Sequence, residues 1–415
     1  MNAPRPLRHA LRLTALGLLF VVLTWRILVV GMSDYYAGQE TPEAAESALR
    51  WRANQPAALY LRGQASIASA PAVAGPLLQA SVWGDPTNAL AYLALADLWA
   101  AADRLPAAIA LAEIADTLGP MRIPALARSA AFWFDHGRPE LALERWTALL
   151  HNRPESAAEL FPKLLAFAND PATRPLLQPF LDRPPDWWGR FFAHAARQEP
   201  RLETVIFLYQ ARNRGEDLPT ADEQGVYLDR LWQEGRWREA YLAWLGGLDE
   251  PARRGLGHLY NGSFDLPITG IGFDWRIKPL PGVTVETVQT YGTRGRRALH
   301  VAFDGRPAQF RHVLQPLFLD SGRYRLQGRV RPDGLSPGDG LRWMVGCGWP
   351  EPRPLAMTEP FIGRDDWQVF GLDFEVPATD CPLQVLRLEH GERVGSGPDG
   401  QGGVWFDDLA ISRRD

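Results

Sequence analysis

Lysine is nearly missing from this 415-residue chain: Lys163 and Lys278 are the only two among 44 basic residues. So strong an arginine bias follows GC-rich codon usage and points to a bacterial source, not to a chemistry. Charge of one sign is not in excess either. The net charge of -4 excludes the basic footprint that nucleic acid requires. Cysteine is limited to Cys347 and Cys381. That pair permits one disulfide in a translocated domain, or two free thiols; a stable bridge is not expected in a reducing cytosol. The eight histidines are scattered, and no His/Cys/acid cluster has metal-ligand spacing. A Gly-x-Ser-x-Gly elbow and a phosphate-cradling glycine loop are both lacking. Paired carboxylates for glycoside hydrolysis cannot be read from spacing, because the pair forms only in the fold. Asp365-Asp366 and Asp407-Asp408 read as structural, so the chain is expected not to be an enzyme. What is present is ordinary globular material, 46% hydrophobic and 22% charged, in a length suited to two or three domains.

One long apolar run stands out. Residues 13–32 (LTALGLLFVVLTWRILVVGM) match the ~20 residues a membrane-crossing helix needs. Arg26 interrupts the run near its outer end, where its side chain reaches the headgroups, with Trp25 at interface level. Arg5, Arg8 and Arg12 precede it; Asp34, Glu40 and Glu43 follow it, with no basic residue until Arg50. The positive-inside rule then puts residues 1–12 in the cytoplasm and the rest outside, at a bacterial inner membrane facing the periplasm. A cleaved signal peptide is the alternative. Both export the remainder.

From 41 to 255 the text is Ala-rich and helical, with a 34-residue period. Tyr92, Leu95, Ala96, Trp99, Ala108, Ala112 and Pro120 recur as Leu126, Ser129, Ala130, Trp133, Ala142, Trp146 and Pro154. Large residues on a first helix meet small ones on a second, and a proline ends each unit. This spacing resembles the tetratricopeptide repeat. Leu61, Ala74, Leu78 and Pro86 extend it backward more weakly, and Ala44, Ala48 and Pro56 suggest an opening half-repeat. Beyond Pro154 the register decays, although 235–244 echoes 137–146. The resemblance implies an α-solenoid with a concave, protein-binding surface. Trp99, Trp133, Trp146 and Trp244 read as core. Trp187-Trp188 reads as a packed corner or an exposed pair.

Near 258 the composition changes to short alternating strands with Gly/Pro turns. Tyr324, Leu326 and Val330 alternate with Arg323, Arg325, Gln327, Arg329 and Arg331. Phe370, Leu372, Phe374 and Val376 share a face, as do Leu299, Val301 and Phe303. About eight strands in 259–414 indicate a β-sandwich, with a jelly roll the leading topology.

Five ordered pieces carry a second resemblance: Asn261-Gly262-Ser263-Phe264-Asp265, Gly272-Phe273-Asp274-Trp275, Gly295-Arg296-Arg297-Ala298-Leu299, Leu319-Asp320-Ser321-Gly322-Arg323-Tyr324, and Gly403-Val404-Trp405-Phe406-Asp407-Asp408-Leu409. Their order resembles the galactose-binding-like jelly rolls of carbohydrate-binding modules. The resemblance implies a glycan-binding domain, and a structural calcium ion at Asp265 with Asp407 or Asp408. Joined to the repeats, it also resembles proteins associated with bacterial exopolysaccharide or O-antigen production. That implies an adaptor touching polysaccharide and a protein partner. A pure protein scaffold and a cryptic carbohydrate-active enzyme are the alternatives.

Sugar sites use aromatic faces flanked by polar groups. Phe273, Trp275 and Trp349 are the stacking candidates, unless they plug the sandwich ends. Trp343 and Trp405 read as core. Arg325, Gln327, Arg329 and Arg331 form either a solvated face or a groove for an anionic polysaccharide, whose carboxylates suit guanidinium forks.

Overall fold

The computed structural model describes residues 5–119, 122–306, 309–335, 340–391 and 401–414. Pro120 of the helical period lies outside them, as do residues 1–4 of the expected cytoplasmic segment. By compactness the chain divides into two units, Met1–Phe180 with Pro184–Phe191, and Leu181–Arg183 with Phe192–Asp415.

The first unit is helical. Helix α1 (Arg5–Ala37) contains the one apolar stretch among the described residues that is long enough to cross a membrane, Leu13–Ala37. None of its 18-residue window is buried in protein. Its last turns behave differently. Ser33 and Ala37 are buried, and the Ser33 hydroxyl donates to the Ala48 carbonyl at 3.0 Å. The helix is therefore continuous from the apolar run into the array.

Short helices follow: α2 (Pro42–Trp51), α3 (Pro56–Ser66), α4 (Pro71–Gly84), α5 (Ala89–Ala101), α6 (Leu105–Leu118), α7 (Ile123–Asp135), α8 (Pro139–Asn152) and α9 (Ala157–Asn169). Their starts follow from local chemistry. Thr41 and Asn88 cap α2 and α5 by accepting the N–H groups of Ala44 and Ala91, and proline occupies the first turn of six of these helices. The 34-residue period is a hairpin period: α5 and α7 start at 89 and 123, α6 and α8 at 105 and 139. Ala96, Ala108, Ala112, Ala130 and Ala142 are fully buried between helices, beside Trp133 and Trp146. Small residues on one helix thus admit the large residues of its neighbour, as the pattern predicts. Trp187 and Trp188 are each 1% exposed, a packed corner.

At the division lie α10 (Gln178–Asp182) and α11 (Trp188–Gln198). The second unit continues with α12 (Leu202–Arg212), α13 (Ala221–Gln233), α14 (Trp237–Gly246) and the single turn α15 (Glu250–Arg253). A buried ion pair joins two of these helices, Arg212 to Glu223 at 3.5 Å, with 2% and 4% exposure. Arg212 also donates to the carbonyls of Asp217 and Leu218. Removing one partner from such a pair leaves a buried charge behind. Arg212→Ala is expected to cost about 3–5 kcal/mol, read as a lowered urea midpoint of the second unit.

Among the described residues, eleven strands then form two antiparallel sheets. They are β1 (Arg276–Ile277), β2 (Val283–Val288), β3 (Ala298–Asp304), β4 (Val313–Leu317), β5 (Gly322–Leu335), β6 (Leu341–Cys347), β7 (Arg353–Met357), β8 (Gly363–Arg364), β9 (Gln368–Val376), β10 (Gln384–His390) and β11 (Gln401–Arg414). One sheet runs β1-β4-β10-β6-β7. The other runs β2-β3-β11-β5-β8, with β9 also on β5. This is the expected β-sandwich. Its core holds Phe264, Trp275, Leu299, Val301, Leu326, Trp343, Leu388 and Phe406, all 0% exposed. Cys347 and Cys381 form a disulfide with Cα atoms 5.3 Å apart across a separation of 34 residues. It staples the end of β6 to the entry of β10. The lost loop entropy of the unfolded chain stabilises the domain by about 3 kcal/mol.

The change of composition near 258 is not where compactness divides. Phe273 sits in a cluster of helical aromatics: ring centroids lie 5.5 Å from Trp232, 5.0 Å from Tyr241 and 5.7 Å from Trp244. Tyr241 stacks on Phe318 and Trp244 meets Tyr260 edge-on. Gly272, at φ +59°, makes the approach possible, because a Cβ there would lie 2.4 Å from the Trp244 ring. Helices α13 and α14 therefore pack on the sandwich through a cluster of aromatic rings.

Candidate glycan-binding face

The outer face of the six-stranded sheet carries the densest polar and aromatic grouping of the sandwich. Register creates it. On β11, Trp405 pairs with His300 of β3 on one side and Arg331 of β5 on the other, and His300 in turn pairs with Glu286 of β2. Side chains alternate faces along a strand, so Val404 and Phe406 point into the core while Trp405 points out. Four residues from four strands thus form one row across the sheet.

The row is tightly stacked. His300 and Trp405 lie ring on ring, centroids 3.9 Å apart and planes 13° from parallel. The Arg331 guanidinium is 4.8 Å from the Trp405 ring, 4.2 Å from Tyr291 and 5.5 Å from Trp367. Arg329 lies 4.8 Å from Trp367. Tyr291 and Trp367 reach the row from loops. The Trp367 indole donates to the Tyr291 carbonyl at 2.8 Å, and Arg331 donates to the Thr290 hydroxyl at 2.9 Å. Gly292, at φ +73°, lets the loop lie on the indole; a Cβ would come within 2.6 Å of it. Tyr291 remains 64% exposed.

Three polar atoms here lack partners. His300 Nδ1, Arg331 Nε and Trp405 Nε1 are buried with no hydrogen-bond partner, whereas Arg329 and Asp408 meet as an ion pair at 3.7 Å. Nδ1 of His300 is 3.5 Å from the Glu286 carboxylate, too far for a good bond. Such groups are normally satisfied; these are closed off from solvent, so a ligand meets the exposed Tyr291 ring and the half-buried Trp367 and Trp405 rings. Burial holds the His300 imidazole below its ordinary range, against the pull of Glu286, so the ring stacked on Trp405 is neutral near pH 7. Burial, and secondarily Asp408, pushes Asp407 up to about 6.

The folded chain keeps the Asp407 proton to a higher pH than the unfolded chain, whose carboxyl titrates near 3.8. The stability it contributes is full below 3.8 and is lost as pH rises through about 6. Asp407→Asn is expected to remove this loss. Urea midpoints of wild type and variant should diverge across that interval and run parallel above it. Parallel curves throughout would rule out the titration.

The residues singled out by sequence fall into three groups. Phe273 and Trp275 are 2% and 0% exposed and cannot stack on a sugar. Phe273 is held by α13 and α14. Trp275 lies in the sandwich core, donating to the Asn261 carbonyl at 3.1 Å. Between them Asp274 closes a turn by accepting from the Thr269 and Trp275 N–H groups. The Gly-Phe-Asp-Trp motif is a structural joint. Trp349 is half-buried, edge-on to Trp232 at 4.9 Å, and away from the row.

The arginine strand divides. Arg325 pairs with Asp373 at 2.7 Å and lies over Gly371, and Gln327 is exposed. Arg329 and Arg331 join the aromatics. Sequence reasoning missed Tyr291, His300 and Trp367, and took Trp405 for core. Strict alternation of Val404, Trp405 and Phe406 was the available signal for Trp405; none exists for the loop residues.

The acids expected to hold calcium do not fit one. Asp265 accepts the N–H groups of Arg296 and Arg297 at 2.6 and 3.0 Å. Asp407 accepts those of Asp408 and Arg294. The Arg329 guanidinium is 4.0 Å from Asp407 and 3.7 Å from Asp408, and Arg294 is 3.5 Å from Asp408. Guanidinium groups stand beside Asp407 and Asp408, where a cation needing six to eight oxygens would have to sit, and Asp265 is engaged by backbone N–H groups. Among the described residues no group of three His, Cys, Asp or Glu side chains is placed to hold a metal.

No protein-family model matches the sequence, and no curated protein matches it. Solved structures do show similarity at low identity. A protein described as sugar-binding, from Bacteroides thetaiotaomicron, is 11% identical, covering 38% of this chain and 100% of its own, with TM-score 0.30. The carbohydrate-binding module CBM4 is 16% identical over 38% of this chain and 99% of its own, TM-score 0.28. A module solved with β-1,4-galactotriose is 16% identical over 38% and 99%, TM-score 0.26.

Proposed function

We propose that this chain is a non-catalytic envelope adaptor in bacterial exopolysaccharide or O-antigen assembly. The outer face of the six-stranded sheet binds glycan. The helical hairpins, taken as tetratricopeptide repeats, hold a protein partner. Helix α1 anchors the chain in the inner membrane, with its N-terminus cytoplasmic and the rest periplasmic.

The row Glu286–His300–Trp405–Arg331, with exposed Tyr291 and half-buried Trp367 beside it, carries the reading. Pyranose C–H groups pack on aromatic rings such as the exposed Tyr291. Arg329 and Arg331, with the exposed Arg294, Arg296 and Arg297 on the adjoining loop, favour an anionic polysaccharide. A retained anchor is favoured over a cleaved signal because the end of α1 is part of the array's packing: Ser33 bonds to Ala48, and Gln55 donates to Asp34 at 3.1 Å. The oxidised cysteine pair suits a periplasmic location. A non-catalytic role is favoured because Asp407 and Asp408 are consecutive and occupied by backbone N–H groups and arginines, not opposed across a cleft as hydrolysis requires.

Affinity electrophoresis of the full chain in detergent tests the reading. Retardation is expected in gels containing acidic bacterial exopolysaccharide, and less in gels containing neutral glucan. No retardation by any polysaccharide, the host's own included, would leave the pure scaffold reading in its place.

A further inference from the structure

A second site lies where helix α13 and the start of α14 meet the sandwich. A pocket of about 460 Å³ is lined there by Asp229, Trp232, Gln233, Trp237, Arg276 and Trp349. Its volume falls within the ~300–1,000 Å³ range of small-molecule sites. Trp232 is 5% exposed, with Trp349 edge-on at 4.9 Å and Trp237 edge-on at 5.9 Å. The Arg276 guanidinium lies 4.1 Å from the Trp232 ring and 5.2 Å from Trp349. Two buried donors among these residues lack a partner, Trp232 Nε1 and Arg276 Nε. Asp229, on the rim, is 4.0 Å from Arg276 and largely exposed.

We propose that this pocket binds one neutral pyranose, end-on, as a saccharide site separate from the sheet face. The chemistry narrows the ligand class. A cationic ligand in an aromatic cage is excluded, because Arg276 already occupies the Trp232 ring face. A free carboxylate is disfavoured by Asp229 beside the guanidinium. Asp229 asks for a donor, and the exposed Gln233 amide offers both a donor and an acceptor. Sugar hydroxyls do both, and the three indoles supply apolar surface for the C–H groups. The pocket needs α13 and α14 as much as the sandwich, so it exists only in a chain that carries both.

The test is saturation-transfer NMR on the full chain in detergent, with glucose, galactose, mannose, N-acetylglucosamine and glucuronic acid as probes. At least one neutral sugar is expected to bind with millimolar affinity, and glucuronic acid more weakly. Asp229→Asn and Trp237→Ala are each expected to weaken binding about tenfold. Asp229 is exposed, so its variant keeps the fold. Tyr291→Ala, on the sheet face, is expected to leave monosaccharide binding intact while abolishing polysaccharide retardation. The proposal is overturned if no neutral sugar binds, if binding survives both pocket variants, or if Tyr291→Ala removes it. Failure of the sheet-face reading shows separately, as unretarded wild type in the gels.

Discussion

A chain starting at Gly257 is expected to aggregate, whereas one starting at Phe192, where the continuous run of the second unit begins, folds and stays soluble. The first start removes α13 and α14 and uncovers Phe273, Tyr260, Phe318 and the buried edge of Trp349. Leaving roughly 400 Å² of aromatic surface in water costs about 10 kcal/mol at 25 cal/mol per Å², as an upper bound. That is comparable with the whole stability of a domain, about 5–15 kcal/mol. The disulfide, at about 3 kcal/mol, does not offset it. The later start also leaves Arg276 without the Trp232 ring. Size-exclusion chromatography and thermal unfolding of the two chains decide the matter. A monomeric, cooperatively unfolding chain from Gly257 would show that the aromatic joint is dispensable.

Trp405→Ala is expected to weaken polysaccharide binding by about 2 kcal/mol or more, roughly thirty-fold, without unfolding the sandwich. Trp405 is the centre of the row: it carries His300 on one side and Arg331 on the other. Its removal frees both neighbours and deletes the ring surface between them. Since Trp405 is outward-facing and partly exposed, the loss to the fold is small. Trp343→Ala is the contrasting variant. That ring is fully buried, so about 3–5 kcal/mol of stability should go with it. Arg331→Lys is expected to behave like Trp405→Ala. An ammonium does not reproduce a planar guanidinium lying against Tyr291 and Trp405. Affinity electrophoresis alongside urea unfolding separates the effects. Equal retardation of wild type and Trp405→Ala would remove the row from the binding surface.

Much of the architecture follows from sequence alone, because its signals are local. An apolar run long enough for a membrane, a 34-residue offset between small and large residues, and period-two alternation each act within one or two elements. They suffice for α1, for the hairpins α5–α6 and α7–α8, and for the polar and apolar faces of β5. The pairing of Cys347 with Cys381 is set by β6 and β10 lying side by side. The binding face was decided only by the tertiary structure. Glu286, His300, Arg331 and Trp405 come from four strands spread over more than a hundred residues, and the order β2-β3-β11-β5 is what aligns them. Tyr291 and Trp367 arrive from loops whose local text carries no periodic signal. The Gly-Phe-Asp-Trp motif shows the converse: its aromatics resemble a sugar site in sequence, yet α13 and α14 bury one ring and the sandwich core the other. Periodicity decides which side of an element an aromatic ring occupies. Strand order and helix docking decide whether that side meets water.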